Sequence, residues 1–221
     1  MPKAKIKVIL FDLGNVLVDL NLKPAVARIS GFCSKSQDEI IKLFLDSGIT
    51  NSFEKGEFSA DEFYKQAKDI LDLKLGYASF VSIWNEIFFF SLKNRSLYHI
   101  ANRLKENYRI AILSNTNILH YRYIKDNFPV FNIFEKVFLS FEIGAVKPDQ
   151  TIYRKAIEAL GVLPENIFYT DDRPELVKSA SKLGIKSFTF TSVEQLISDL
   201  SSLNIVLGNQ QESYPPEVFL P

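Results

Sequence analysis

The chain has 221 residues, and its 26 Lys and Arg are balanced by 26 Asp and Glu, so its formal net charge is zero. Without a basic excess or a basic run it does not fit nucleic-acid binding by phosphate neutralisation, and no apolar stretch approaches the roughly 20 residues of a bilayer helix. With 47% hydrophobic and 13% aromatic residues it can bury a large core, which excludes a disordered class.

In chain order, Met1-Pro2-Lys3 leads to Asp12 before any export signal forms, and the lone Cys33 makes no internal disulfide; a cytoplasmic protein is expected. The first apolar run, residues 6–11, is broken only by Lys7 and stopped by Asp12-Leu13-Gly14-Asn15. Such a run reads as a buried, parallel-type strand. Between 18 and 92 no strand is expected. That stretch carries two capping boxes, Ser36-Gln37-Asp38-Glu39 and Ser59-Ala60-Asp61-Glu62, the second flanked by a Phe58/Phe63 hydrophobic staple. Glu54, Lys55 and Gly56 form a turn between two of its helices and are candidates for a loop that screens the substrate, and Trp84 with Phe88-Phe89-Phe90 reads as packing within this helical block.

Further apolar runs at 109–113, 136–139, 166–169 and 187–190 alternate with helical spacing, the pattern of an α/β fold with a parallel sheet. A helix at 150–160 ends at Gly161, the next starts around Pro174 and stops at Gly184, and a third opens on a capping-box pattern at Ser192 to Gln195. His99 and His120 lie within helical patterns and read as packing residues. The last residues, with Pro215 and Pro216, read as an irregular tail.

In open α/β sheets ligands sit at the carboxyl ends of the strands. There the runs deliver Asp12, then Ser114-Asn115-Thr116, then Gly144-Ala145-Val146-Lys147-Pro148, then Asp171-Asp172. Carboxylates converging on one edge raise one another's pKa unless a cation neutralises them, and Mg²⁺ suits a few carboxylates with phosphate and water.

Phe11-Asp12-Leu13-Gly14-Asn15-Val16, Leu113-Ser114-Asn115, Lys147-Pro148 and Tyr169-Thr170-Asp171-Asp172 resemble, in order, the four motifs of the haloacid dehalogenase-like hydrolase superfamily. The wording between them resembles a bacterial branch similar to alpha-glucose-1-phosphatase. The resemblance implies a Rossmann-like three-layer α/β core with a mostly parallel sheet and an inserted all-helical cap. Its expected bounds are core at 1–17 and 92–206, cap at 18–91 and tail at 207–221.

It also implies a Mg²⁺-dependent phosphatase of small phosphorylated metabolites such as sugar phosphates, monomeric or homodimeric. Asp12 would attack phosphorus to form an aspartyl-phosphate, and Asp12, the Gly14 carbonyl, Asp171 and Asp172 would hold Mg²⁺. The Ser114 hydroxyl and Asn115 N–H would hold phosphoryl oxygens, with the Lys147 charge between nucleophile and phosphate. One departure stands out: most such phosphatases carry an acid/base Asp two positions after the nucleophile, where this chain has Gly14. Asp19, Asn15 or an ordered water are the candidates to fill that space. The alternative is a catalytically weak member that binds a phosphorylated ligand or a protein partner. Dehalogenation, which would not need the Asp171/Asp172 pair, is disfavoured. A second departure is Leu176, where an Asn is common.

Overall fold

Five of the apolar runs become one sheet. The computed structural model describes residues 5–46 and 48–209. Strands β1 (Val8–Phe11), β4 (Arg109–Ser114), β5 (Lys136–Leu139), β6 (Ile167–Asp171) and β7 (Lys186–Thr189) lie side by side in the order β5-β4-β1-β6-β7. Every neighbouring pair is parallel, so the sheet, expected to be mostly parallel, is wholly so. In β1 the near-unbroken run of apolar residues follows from burial on both faces. Ile9 and Phe11 join Ile110, Ile112 and Phe168 against helices α6 (Leu92–Leu104), α7 (Ile118–Asn127) and α11 (Val193–Ser202). Val8 and Leu10 point the other way, toward α9 (Gln150–Leu160) and α10 (Pro174–Ser181). The result is three layers, with a short helix α8 (Ser140–Ile143) after β5.

The segment between β1 and α6 folds into five helices: α1 (Leu22–Ser30), α2 (Gln37–Asp46), α3 (Ile49–Glu54), α4 (Ala60–Leu71) and α5 (Tyr77–Asn85). They enclose their own aromatic core, in which Phe53 stacks on Phe63 at 4.3 Å and Phe44 meets Trp84 at 4.3 Å between ring centroids. Ser59 and Glu62 close the expected capping box, and Phe58 packs against the cluster that holds Phe63. Ser36 and Glu39 bond each other in the same reciprocal way. At Ser192 only half of the box forms: its hydroxyl accepts from the Gln195 N–H, but the Gln195 side chain turns to Asp199 at 2.8 Å.

The expectation of no strand between 18 and 92 is corrected. The two chain crossings between sheet and helical block pair as β2 (Asp19–Leu20) and β3 (Phe88–Phe89), antiparallel, extended by a 2.7 Å bond from Asn21 N–H to the Ile87 carbonyl. Two-residue strands are too short to show a period of two in sequence. Of the expected tail, residues 210–221 lie outside the described residues.

Candidate active site

Asp12 follows the last residue of β1, and its N–H is held by the Thr170 carbonyl of β6 at 2.9 Å. The chain then turns back sharply. Leu17 and Val18 N–H groups both bond the Leu13 carbonyl, and Asn15 sits in the left-handed region with φ 55°. Asn and Asp tolerate that conformation better than other side chains. From there the Asn15 amide donates to Asp172 Oδ2 at 3.0 Å, so the first motif is tied to the fourth.

Lys147 enters from the loop after α8 and is almost wholly buried, its side chain 1% exposed. Its ammonium lies 2.7 Å from Asp12 Oδ1, 2.7 Å from Asp171 Oδ2, 3.0 Å from the Leu113 carbonyl and 3.1 Å from the Tyr169 hydroxyl. Tyr169 donates in turn to Asp171 Oδ2. The loop carrying Lys147 is clamped by Asn115, whose side chain accepts from the Lys147 N–H at 2.7 Å and donates to its carbonyl at 2.9 Å. Ser114 is buried, with its hydroxyl 3.2 Å from the Asn115 carbonyl. The N-cap of α7 is Asn117, which accepts from the Leu119 and His120 N–H groups. Asp171 accepts from the Arg173 N–H at 2.9 Å.

Carboxylate oxygens of Asp12, Asp171 and Asp172 come within 4.8 Å of one another. Burial, helped by the Asp171 charge and opposed by Lys147, lifts the Asp12 carboxyl to about 7. Burial also raises Asp172. Burial works against the charged form of Lys147, yet the carboxylates of Asp12 and Asp171 outweigh it and hold the ammonium above its usual range. With all three carboxylates ionised, the single Lys147 ammonium would leave two negative charges uncompensated. A divalent cation matches that excess, and an all-oxygen donor set is the kind Mg²⁺ takes.

The helical block overhangs this edge. Gly14, Ser114 and Asn115 share a cavity of about 160 Å³ with Thr50, Glu54, Trp84 and His120. Gly56, at φ 72°, lies so close to α8 that a Cβ there would fall 2.3 Å from the Phe141 carbonyl oxygen. Sequence reasoning placed Asp12, Gly14, Ser114, Asn115, Lys147, Asp171 and Asp172 at this edge, and the fold brings them together. It gave Tyr169 no role beyond its place in the fourth motif, since its hydroxyl meets Lys147 only once β6 is in register with β1; it took Glu54 for part of a turn that could screen the substrate, and Trp84 and His120 for packing residues. Arg173 is exposed and pairs with Glu175. Leu176 is buried, and its carbonyl accepts from Tyr153 at 3.0 Å.

A family model of haloacid dehalogenase-like hydrolases matches residues 6–184. The chain belongs to that hydrolase family. Its relatives include a D-ribitol-5-phosphate phosphatase of Bacteroides thetaiotaomicron, 29% identical over 83% of this chain and 91% of the relative. A solved HAD-family enzyme from the same organism, in complex with magnesium and inorganic phosphate, matches with a TM-score of 0.75 at 29% identity, covering 85% of this chain and 96% of that one. A HAD-like hydrolase of Porphyromonas gingivalis also gives 0.75, at 27% identity over 90% of this chain and 98% of that one. Among the described residues no helix of this HAD-like hydrolase is long and apolar enough to cross a membrane.

Proposed function

We propose that this hydrolase is a Mg²⁺-dependent phosphatase of small phosphorylated metabolites, sugar or polyol phosphates among them, working in the cytoplasm. The observation that carries it is the buried Asp12 held by Lys147 at 2.7 Å beside two further carboxylates, beneath a helical cap. The phosphatase relative and the magnesium and phosphate complex support the same reading. The division into core (1–17 and 92–206) and cap (18–91) belongs to it.

Asp12 acts as nucleophile: a carboxylate oxygen attacks phosphorus, the bond to the leaving oxygen breaks, and an aspartyl-phosphate forms. This splits one hard displacement into two easier ones. Lys147 fixes the Asp12 rotamer through Oδ1 and leaves Oδ2 for the attack. The Ser114 hydroxyl and the Asn115 N–H hold phosphoryl oxygens, while the Asn115 side chain keeps the Lys147 loop in place. Mg²⁺ would be held by Asp12, the Gly14 carbonyl, Asp171 and Asp172, and when bound it supplies the positive charge that neutralises the transferring phosphoryl group. Water then attacks the aspartyl-phosphate and frees phosphate and Asp12.

Steady-state phosphate release from a panel of phosphomonoesters, with Mg²⁺ and with EDTA, tests the assignment. Wild type releases phosphate only with Mg²⁺, and Asp12→Asn loses the activity by several orders of magnitude. Full turnover by Asp12→Asn, or thermal stabilisation by every ester with no release by wild type, would overturn it.

A further inference from the structure

The acid/base side chain that Gly14 lacks has to be replaced from somewhere. Of the candidates, Asp19 is committed elsewhere: its carboxylate pairs with Lys93 and accepts from the Ser91 hydroxyl at 2.6 Å. Asn15 is bound to Asp172. The space beside Gly14 is instead the cavity under the cap. Among its lining residues only His120 and Glu54 carry titratable side chains.

His120 is a poor proton donor. Asn117 Oδ1 already accepts two backbone N–H groups, so its amide nitrogen faces His120 Nδ1 at 3.1 Å and makes that ring nitrogen an acceptor. The ring proton is therefore on Nε2, which has no hydrogen-bond partner of good geometry. Burial drives the His120 pKa down to about 3, opposed by the nearby Trp84 carbonyl. At neutral pH His120 is an uncharged N–H donor.

Glu54 is different. It is the last residue of α3, and among the described residues its carboxyl makes no hydrogen bond or ion pair. Burial lifts it to about 7, opposed by Lys147 and Arg173 and helped by Asp12, all acting from beyond ion-pair distance. Two residues on, Gly56 seats this turn against the Phe141 carbonyl, and Glu54 lines the cavity shared with Gly14, Ser114 and Asn115.

We infer that Glu54, on the cap, is the general acid and base of this site and does the work of the side chain absent at Gly14. This rests on the phosphatase reading. In the first step Asp12 forms its bond to phosphorus, the electron pair of the breaking P–O bond goes to the leaving oxygen, and the Glu54 carboxyl proton goes with it, releasing an alcohol. In the second the Glu54 carboxylate takes a proton from water as that oxygen bonds to phosphorus. The pair of the breaking bond then returns to Asp12.

The test compares an alkyl phosphate such as glycerol phosphate, whose leaving oxygen needs a proton, with p-nitrophenyl phosphate, whose leaving group departs as an anion. In the full chain with Mg²⁺, Glu54→Gln should lower kcat for the alkyl ester by about 10²–10⁴-fold. With p-nitrophenyl phosphate it should keep a rapid burst of one equivalent of nitrophenolate, followed by slow turnover as the intermediate waits for a base. Glu54→Gln/Gly14→Asp should recover alkyl-ester turnover, because a Cβ at Gly14 comes no nearer than 3.4 Å, to Leu20 Cδ2. Wild-type kcat on the alkyl ester in Glu54→Gln would overturn the inference. So would loss of the burst together with turnover in a variant that melts like wild type. Wild-type inactivity on every ester would instead remove the phosphatase reading, and this inference with it.

Discussion

A buried lysine between two carboxylates is stable only as part of the whole group. With Lys147 removed, Asp12 and Asp171 keep their burial and lose their counter-charge, and breaking such a pair typically costs about 3–5 kcal/mol. Lys147→Met is expected to lower the unfolding free energy measured in urea by that amount without Mg²⁺, and to recover more stability than wild type when Mg²⁺ is added, because the ion then supplies the missing charge. Equal Mg²⁺ responses in the two proteins would contradict the role given to Lys147. His120 makes a separate prediction. Its folded pKa of about 3 lies below the unfolded 6.5, so between those values the unfolded chain binds more protons. Its contribution is complete above pH 6.5 and is lost as pH falls toward 3. Asp12 and Glu54, both lifted to about 7, act with the opposite sign and favour the folded state as pH falls from 7. The difference between wild type and His120→Gln isolates the histidine: urea midpoints should converge, or cross in favour of the variant, on going from about pH 7 to about pH 4. At this scale Asp12 and Asp171 were legible from the ends of apolar runs, and Lys147 from the Lys147-Pro148 motif it shares with the family. That Lys147 touches both carboxylates was not, since they lie 135 and 24 positions away.

At the scale of elements, the two crossings between core and cap are held differently from the rest of the cap. Strands β2 and β3 pair there, and Asp19 reaches from β2 to Lys93 and Ser91 at the start of α6. Asn94, fully buried in α6, donates to the Val16 carbonyl at 3.0 Å and ties the turn after Asp12 to the same helix. On the far side the cap touches the core through Gly56 and Phe141. The positive φ and the close carbonyl both require glycine there. Gly56→Ala should unseat the turn while leaving α1–α5 packed around Phe63 and Trp84. Far-UV circular dichroism should match wild type, and kcat/KM should fall by about 10²-fold, the usual penalty for misplacing a site by an ångström. Unchanged kcat/KM would show that the seat on Phe141 does not matter to turnover. The helices of the cap were legible from their capping boxes, because Ser-x-x-Glu is a local pattern. The hinge was not, because two-residue strands exist only through their pairing.

For the whole molecule, zero net charge leaves the active-site charges to act locally. The two uncompensated negative charges at the head of the sheet make Mg²⁺ a ligand of the folded state alone. At a hundred times its dissociation constant, such an ion adds about 2.7 kcal/mol of stability. A thermal melt should therefore move up with Mg²⁺, return with EDTA, and respond less in Asp172→Asn; a melt indifferent to Mg²⁺ would remove the metal from the proposal.

What the sequence by itself determined was the α/β alternation, the cap helices and the order in which Asp12, Ser114 and Asp171 reach strand ends, since these follow from periodicity and turn chemistry within a few residues. The tertiary structure alone decided that Lys147 bridges two carboxylates and that Asn15 holds Asp172. It also brought Glu54 and His120, from a cap helix and a core helix, into one cavity with Gly14. Those meetings depend on how separate elements pack, and no local pattern of residues encodes them.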